Sequence, residues 1–189
     1  NIIVDGITFR HTLNNGISIN KSSNITIRNC TMQDIGVTGI VVDGQNNLIE
    51  ANTIYETGRY CIQLKGGGNP EDLTQSANRV ANNHLYNFAT LNNMLYKTAI
   101  DLGRVAANKT IGDIVEYNII HGQPNAYGII YGGLDNIIRY NELFSVTNDA
   151  ADMGVIYSGR RLNEFGNLIQ YNYIHDYAPT FAARYQIQG

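Results

Sequence analysis

The feature of this sequence that most constrains its fold is an internal repeat. The repeated unit has the form Asn-x-apolar-x-x-Asn-x-apolar. Clear copies start at Asn47, Asn78, Asp113, Asn136 and Asn167, and weaker copies start at Asn1 and Asn24. The shortest spacing between starts sets a basic period of about 23 residues, which is in the range typical of a solenoid. The units that start at Asn47, Asn78 and Asn136 are longer, so three units carry insertions.

A second signal lies further along each unit, where a small residue precedes an apolar-x-apolar triplet. Examples are Gly16–Ile19, Gly39–Val42 and Cys61–Leu64. Apolar residues at every second position predict β-strands, and the signature of leucine-rich repeats is absent. Strands that recur once per turn are expected to stack in parallel, about 4.8 Å apart.

The sequence therefore predicts an all-β fold, a right-handed parallel β-helix of about seven coils. We expect one domain over residues 1–189. Longer loops are predicted around residues 65–77, 86–98, 103–112, 145–153 and 158–166.

The second Asn of the unit falls between two strands, with Gly6 in its place in the first copy. Side-chain amides at one position of successive coils can satisfy turn backbone groups that would otherwise be buried without partners. We predict a structural ladder rather than a catalytic role for these residues, which are Asn29, Asn52, Asn83, Asn118, Asn141 and Asn172.

Composition supports this fold and excludes other classes. The chain has 25 Asn, 19 Gly and 3 Pro, and Asn and Gly suit tight turns because they tolerate the left-handed conformation. A net charge of −3 without a basic run excludes a nucleic-acid footprint. No apolar run is long enough for a membrane-spanning helix. Cys30 and Cys61 lie at different phases of the coil and are expected to be unpaired thiols.

Neither end of the sequence carries a polar capping element. Bare solenoid ends expose strand edges and core, which promotes association. We therefore expect the chain to be part of a longer polypeptide, whose remaining parts would be its covalent neighbours.

Charged residues of both signs concentrate beside the second strand of the middle coils, among them Arg59, Lys65, Lys97 and Asp101. Insertions fall in the same coils, and insertions on one face of a solenoid commonly build a binding wall. Asp101 is predicted to face outward from its strand and is a candidate catalytic carboxylate. The alternative is a structural ion pair with Lys97 or Lys65.

The segments Asp152–Arg160 and Gly166–Asp176 carry a family resemblance. They resemble the D-x-G-x-I-Y-x-G-R and G-N-x-I-x-Y-N-Y-x-H-D patterns of bacterial right-handed β-helix proteins. These include glycoside hydrolases that act on plant cell-wall glycans, in which acidic residues on the helix face are catalytic. The resemblance implies Asp152 as the first catalytic candidate, with a turn-capping role as the alternative. It also implies a secreted or cell-surface bacterial protein.

Two further residues of the first segment are candidates for substrate contact. Arg160 is expected to orient Asp152 or to bind a substrate carboxylate through two hydrogen bonds, and a surface ion pair is the alternative. Tyr157 falls on an inward phase of the alternation, which favours core packing over substrate contact.

A separate outward stripe contains His121 and His175. It also contains Tyr55, Tyr86 and Phe144. These rings are expected either to stack on sugar rings or to stack on one another. Asp176 is expected to orient its neighbour His175, or to be a turn residue.

A glycoside hydrolase is the favoured function. Its mechanism needs two carboxyl groups, about 5–5.5 Å apart for retention of configuration and about 6.5–9.5 Å apart for inversion. Asp101 lies two coils from Asp152, roughly 10 Å along the axis, so the sequence leaves the second carboxylate open. The expected partner is a polysaccharide, and no cofactor is needed.

A polysaccharide lyase is the second hypothesis, since it needs a base and a positive centre for a uronate carboxylate. Lys97, Arg59, Lys65 and Arg104 are its candidates. Calcium would serve only such a lyase, and the sequence shows neither a dense acidic cluster for it nor the motifs of pectin lyases and polygalacturonases. A non-catalytic adhesin or carbohydrate-binding β-helix is the third hypothesis, although the three insertions favour a built cleft.

Overall fold

The computed structural model describes residues 1–91, 97–104, 110–147, 153–158, 161 and 164–177. Within them the secondary structure consists of 20 strands in three parallel sheets. Sheet A contains β1 (Ile2–Asp5), β4 (Ile25–Arg28), β7 (Leu48–Glu50), β10 (Arg79–Ala81), β13 (Ile114–Glu116), β16 (Ile137–Arg139) and β19 (Leu168–Gln170). Sheet B contains β2 (Thr8–Thr12), β5 (Thr31–Ile35), β8 (Thr53–Thr57), β11 (His84–Tyr86), β14 (Ile119–Gln123), β17 (Glu142–Val146) and β20 (Tyr173–His175). Sheet C contains β3 (Ile17–Asn20), β6 (Thr38–Asp43), β9 (Tyr60–Gly66), β12 (Thr98–Leu102), β15 (Tyr127–Tyr131) and β18 (Ile156–Tyr157).

Successive strands of the chain enter the three sheets in turn, and each strand pairs in parallel with its counterpart in the next coil. The chain is therefore a parallel β-helix, which confirms the predicted all-β solenoid. The core is a stack of aliphatic side chains from all three sheets. Ile49, Val80 and Val115 form one such column, and each is fully buried.

The predicted ladder between sheets A and B is present from the third coil onward. The Oδ1 of Asn118 accepts from the backbone N–H and the side-chain amide of Asn83, at 3.0 and 2.9 Å. Asn118 makes the same two bonds to Asn141 in the next coil. Each amide thus satisfies the backbone of a neighbouring turn and holds adjacent coils in register.

The prediction that Asn29 belongs to this ladder is wrong by one residue. The pairing of Thr31 with Thr53 places Cys30 opposite Asn52, and Ile7 occupies the position in the first coil. The reason is a change in the length of the turn between sheets C and A. Thr26 lies nine positions after Ile17, whereas in the next coil the equivalent Leu48 lies only eight positions after Ile40.

A second ladder, which the sequence did not predict as one, lies between sheets C and A. It is formed by the first residue of each of the five clear copies of the repeat: Asn47, Asn78, Asp113, Asn136 and Asn167. Asp113 is the exception in this series. Its Oδ1 accepts from the backbone N–H of Asn78 at 2.7 Å and from Ser76 at 2.8 Å. Its Oδ2 is buried without a hydrogen-bond partner, and burial raises the pKa of the carboxyl group to about 7.

Asp113→Asn should therefore remove a pH dependence of folding stability. The folded-state pKa of Asp113 lies above its unfolded value of 3.8. Its stabilising protonated form is therefore fully present below pH 3.8 and is lost as the pH rises through about 7. In urea denaturation, the unfolding free energy of the parent should fall by about 2–4 kcal/mol across this window, and that of the variant should fall much less.

Asn136→Asp is the matched control, because it places a second carboxylate in the same ladder. We expect it to be more destabilised at pH 8 than at pH 5. Identical pH profiles for the parent and Asp113→Asn would show that Asp113 does not titrate in this range.

Candidate functional site on the outer face of sheet C

The outward column of sheet C contains Asp101, the carboxylate that the sequence predicted to face outward. Strand pairing places six residues in this column: Ser18, Val41, Gln63, Asp101, Ile130 and Tyr157. The alternating residues Ile62 and Ile100 lie in the core. Gln63, Asp101 and Ile130 are nevertheless buried, so the outer face of this sheet is covered in the middle coils.

Asp101 is on the predicted face but is completely inaccessible to solvent. Its Oδ2 accepts from Gln63 Nε2 at 2.9 Å, and its Oδ1 accepts from the backbone N–H of Arg104 at 3.0 Å. These two contacts bind it to the strand below and to the chain that follows it. Asp101 thus fixes the position of the segment that leads into Arg104.

A second carboxylate on this side, Glu164, was not a candidate from the sequence. Its side chain is 4% exposed, and its Oε2 accepts from the Ser158 hydroxyl at 2.7 Å. Its Oε1 makes no hydrogen bond and lies 4.0 Å from Nη1 of the buried Arg104. Nothing in the spacing of the sequence marks Glu164, because it lies in a loop outside the repeat.

Glu164 and Ser158 line a cavity of about 410 Å³. The other lining residues are Tyr131, Arg161, Phe165, Gly166 and Asn167. The cavity lies between the end of a sheet C strand, β15, and the loop that precedes the last described coil. Its polar walls and one incompletely bonded carboxylate are features expected of a ligand site.

A larger cavity, of about 600 Å³, lies at the turns between sheets B and C in the first coils. In its lining, His11 Nδ1 lies 3.4 Å from Asp34 Oδ2, and both side chains are exposed. It contains none of the residues that the sequence predicted as functional.

The predicted basic residues differ in their surroundings. The guanidinium of Arg59 lies 4.7 Å from the ring centre of the buried Tyr60, whose hydroxyl makes no hydrogen bond of normal geometry. Burial and the nearby charge of Asp101 raise the pKa of Tyr60 to about 12. Lys65 is exposed and Lys97 is half-buried. Lys65 lies in a strand of sheet C, and Arg59 and Lys97 each directly precede one.

The prediction that Tyr157 faces the core is wrong. Ile156 pairs with Ile129, so Tyr157 pairs with Ile130 and belongs to the outward column of Asp101. Its ring is half-buried and packs on Tyr127, with ring centres 5.0 Å apart. The alignment of repeats failed here because the register of this strand is shifted by one residue. Asp152 and Arg160 lie outside the described residues.

His121 and His175 lie on sheet B and not beside Asp101. Their column is the predicted aromatic stripe, in the order Tyr55, Tyr86, His121, Phe144 and His175. Adjacent ring centres are 4.6–5.3 Å apart with nearly parallel planes. Each ring covers the face of its neighbour, so a sugar ring cannot stack between two adjacent rings.

The end of this stripe contains the predicted contact between Asp176 and His175. Asp176 Oδ2 lies 2.9 Å from His175 Nδ1, and Glu142 Oε1 lies 3.2 Å from Nε2. The Asp176 hydrogen bond, with a smaller contribution from Glu142, raises the pKa of His175. Asp176 also has a positive φ of 49°, so it serves as a turn residue as well.

Metal clusters and membrane-spanning helices are both absent from the part of the chain that the structure describes. Across those ranges, no three or more His, Cys, Asp or Glu side chains gather closely enough to enclose a metal ion. No helix in the same ranges is long and apolar enough to cross a membrane. Cys30 and Cys61 are both buried free thiols, and burial raises the pKa of Cys61.

Residues 1–185 match the family profile of the right-handed β-helix region, in agreement with the coils described above. The chain belongs to the right-handed β-helix family. The predicted handedness is thereby confirmed. No curated protein sequence matches the chain.

A solved structure named "Glycoside hydrolase" superposes with a TM-score of 0.58 at 16% sequence identity. The match covers 97% of this chain and 34% of that one, so the chain spans about a third of that structure's length. At this identity the likeness shows the shared β-helix fold alone.

Gln63→Ala tests the anchoring of Asp101. The substitution removes a side-chain donor from a buried carboxylate oxygen, and we expect a loss of about 1–3 kcal/mol of unfolding free energy by urea denaturation. Ser18→Ala, in the same column but exposed, should change stability by less than about 0.5 kcal/mol. Equal effects of the two substitutions would mean that the Gln63–Asp101 bond does not stabilise this face.

Proposed function

We propose that the protein is a polysaccharide-degrading glycoside hydrolase whose substrate binds at the cavity lined by Glu164 and Ser158, beside the outer face of sheet C. The observation that carries this proposal is Glu164, a buried carboxylate that lines a polar cavity and leaves one oxygen without a hydrogen bond. A carboxyl group in this state can exchange a proton with a glycosidic oxygen or activate a water molecule.

Arg104 links the two acidic residues of this face. Its guanidinium approaches Glu164 at 4.0 Å, while its backbone N–H donates to Asp101. Because Asp101 is inaccessible and both of its oxygens accept hydrogen bonds, we assign it a positioning role for Arg104.

Glycoside hydrolysis requires a second carboxyl group that reaches the substrate. We propose Asp152 for that role, on the resemblance of its segment to hydrolases of the β-helix family. It lies six residues before Ser158, whose hydroxyl holds Glu164. Arg160 and Arg161, which follow Ser158 closely in the sequence, are candidates for substrate binding.

The family resemblance also supports a bacterial protein that is secreted or held at the cell surface, where it would meet polysaccharides. Hydrolysis by two carboxyl groups uses water and no cofactor. The lyase alternative would rely on Arg59, Lys65 or Lys97 to neutralise a uronate, with calcium as a further candidate ion.

A sugar-release assay on neutral and acidic glycans tests the proposal. The products are read as new reducing ends and as the absorbance of unsaturated uronates. We expect reducing ends without unsaturation, and a kcat at least about a hundredfold lower for Glu164→Gln. Glu50→Gln, on the outer face of sheet A, is the matched control and should retain parental activity.

The other outcomes separate the alternatives. Unsaturated products would replace the hydrolase with a lyase and direct attention to Lys97 and Arg59. Full activity in Glu164→Gln would remove Glu164 from the mechanism. Binding of a glycan without any product, by correctly folded protein, would indicate a carbohydrate-binding or adhesin-type β-helix.

A further inference from the structure

Two histidines on sheet B point their ring nitrogens at each other. His84 on β11 and His121 on the next strand, β14, have their Nε2 atoms 2.8 Å apart. The register places His84 opposite Ile119 and Tyr86 opposite His121, so the two histidines are diagonal neighbours. Both rings are half-buried on the outer surface of the sheet.

The neighbouring rings hold this pair in place. His121 lies between Tyr86, at 5.3 Å and 5° between planes, and Phe144, at 4.6 Å and 10°. The ring of His84 packs on Tyr86 at 4.7 Å. Side chains restrained in this way lose little conformational entropy when they bind a ligand, which favours binding.

We propose that His84 and His121 form an open binding site for a divalent late transition metal, with Cu²⁺ preferred. The two Nε2 atoms would be neighbouring ligands of the ion, and solvent would fill its remaining positions. Imidazole nitrogen suits copper, which binds most tightly of the first-row divalent ions.

The distance between the nitrogens distinguishes between metals. Two nitrogens about 2.0–2.1 Å from an ion are about 2.9 Å apart at a right angle, and about 3.4 Å apart at a tetrahedral angle. The observed 2.8 Å fits the right angle of tetragonal coordination, which Cu²⁺ adopts, better than the tetrahedral geometry of Zn²⁺. The site lies on sheet B, away from the Glu164 cavity, so it does not depend on the proposed hydrolase function.

Titration of the untagged protein with Cu²⁺ alone, and separately with Zn²⁺ alone, tests this site. Calorimetry should give one Cu²⁺ per chain, bound at least about tenfold more tightly than Zn²⁺. Electron paramagnetic resonance of the copper form should show coupling to two imidazole nitrogens.

Three substitutions supply matched comparisons. His121→Phe keeps an aromatic ring in the column, and His84→Thr introduces the residue found one coil earlier, at Thr53. His121→Phe and His84→Thr should each weaken Cu²⁺ binding at least about tenfold, since each removes one of the two ligands. His175→Phe changes another histidine of the same column and should leave the affinity unchanged.

Equal Cu²⁺ affinity in the parent, His84→Thr and His121→Phe would overturn the proposal. The short contact between the two rings would then be a hydrogen bond between two neutral imidazoles. Zinc binding as tight as copper binding would overturn the tetragonal geometry. Glycan cleavage is expected to be the same in all of these variants, so this test and that of the hydrolase can fail independently.

Discussion

The hydrogen bonds that join each coil to the next are the interaction on which the rest of this structure depends. A single coil has three short strands and cannot bury an apolar face alone, so it is stable only when stacked. The two side-chain ladders extend this bonding into the turns, where no strand partner is available. Asn83, Asn118 and Asn141 each bridge their own coil and a neighbour, and their own backbone amides are satisfied by the next member of the ladder.

Stacking in register places equivalent positions directly above one another, about 4.8 Å apart, so the side chains that follow one another in a column must be able to lie side by side. On sheet A the outward column places opposite charges in adjacent coils, as in Asp5 with Arg28 and Glu116 with Arg139. Burial alone would raise the pKa of Glu116, but hydrogen bonds from Arg139 and Arg79 outweigh burial and hold it below its usual value. On sheet B the same constraint is met by stacked aromatic rings.

The candidate sites occur where a loop interrupts the stacking of equivalent positions, or where a column or ladder contains an ionisable residue. Glu164 lies in an inserted loop and not in a column, and one of its carboxylate oxygens makes no hydrogen bond. Asp113 shows the same point within a ladder, because a carboxylate in an amide position leaves one oxygen without a donor. The histidine pair on sheet B arises differently, from two neighbouring outward columns that each carry a histidine at adjacent coils.

The repeat by itself determined the fold class, the coil number and the ladder between sheets A and B, because periodic apolar and Asn positions report contacts that recur locally in every coil. It also placed Asp101 on the correct face. The repeat did not reveal one-residue shifts between coils, which is why Asn29 and Tyr157 were assigned to the wrong position in the coil.

Tertiary structure alone decided which groups meet. Asp101 bonds to Gln63, 38 residues away, and Glu164 reaches Arg104 from a loop without periodicity. His84 and His121 are 37 residues apart in the sequence, with an insertion between them, and they meet because their strands are adjacent in sheet B. Sequence spacing carries no record of such contacts, since the length of an inserted loop does not determine where it folds back against the coil.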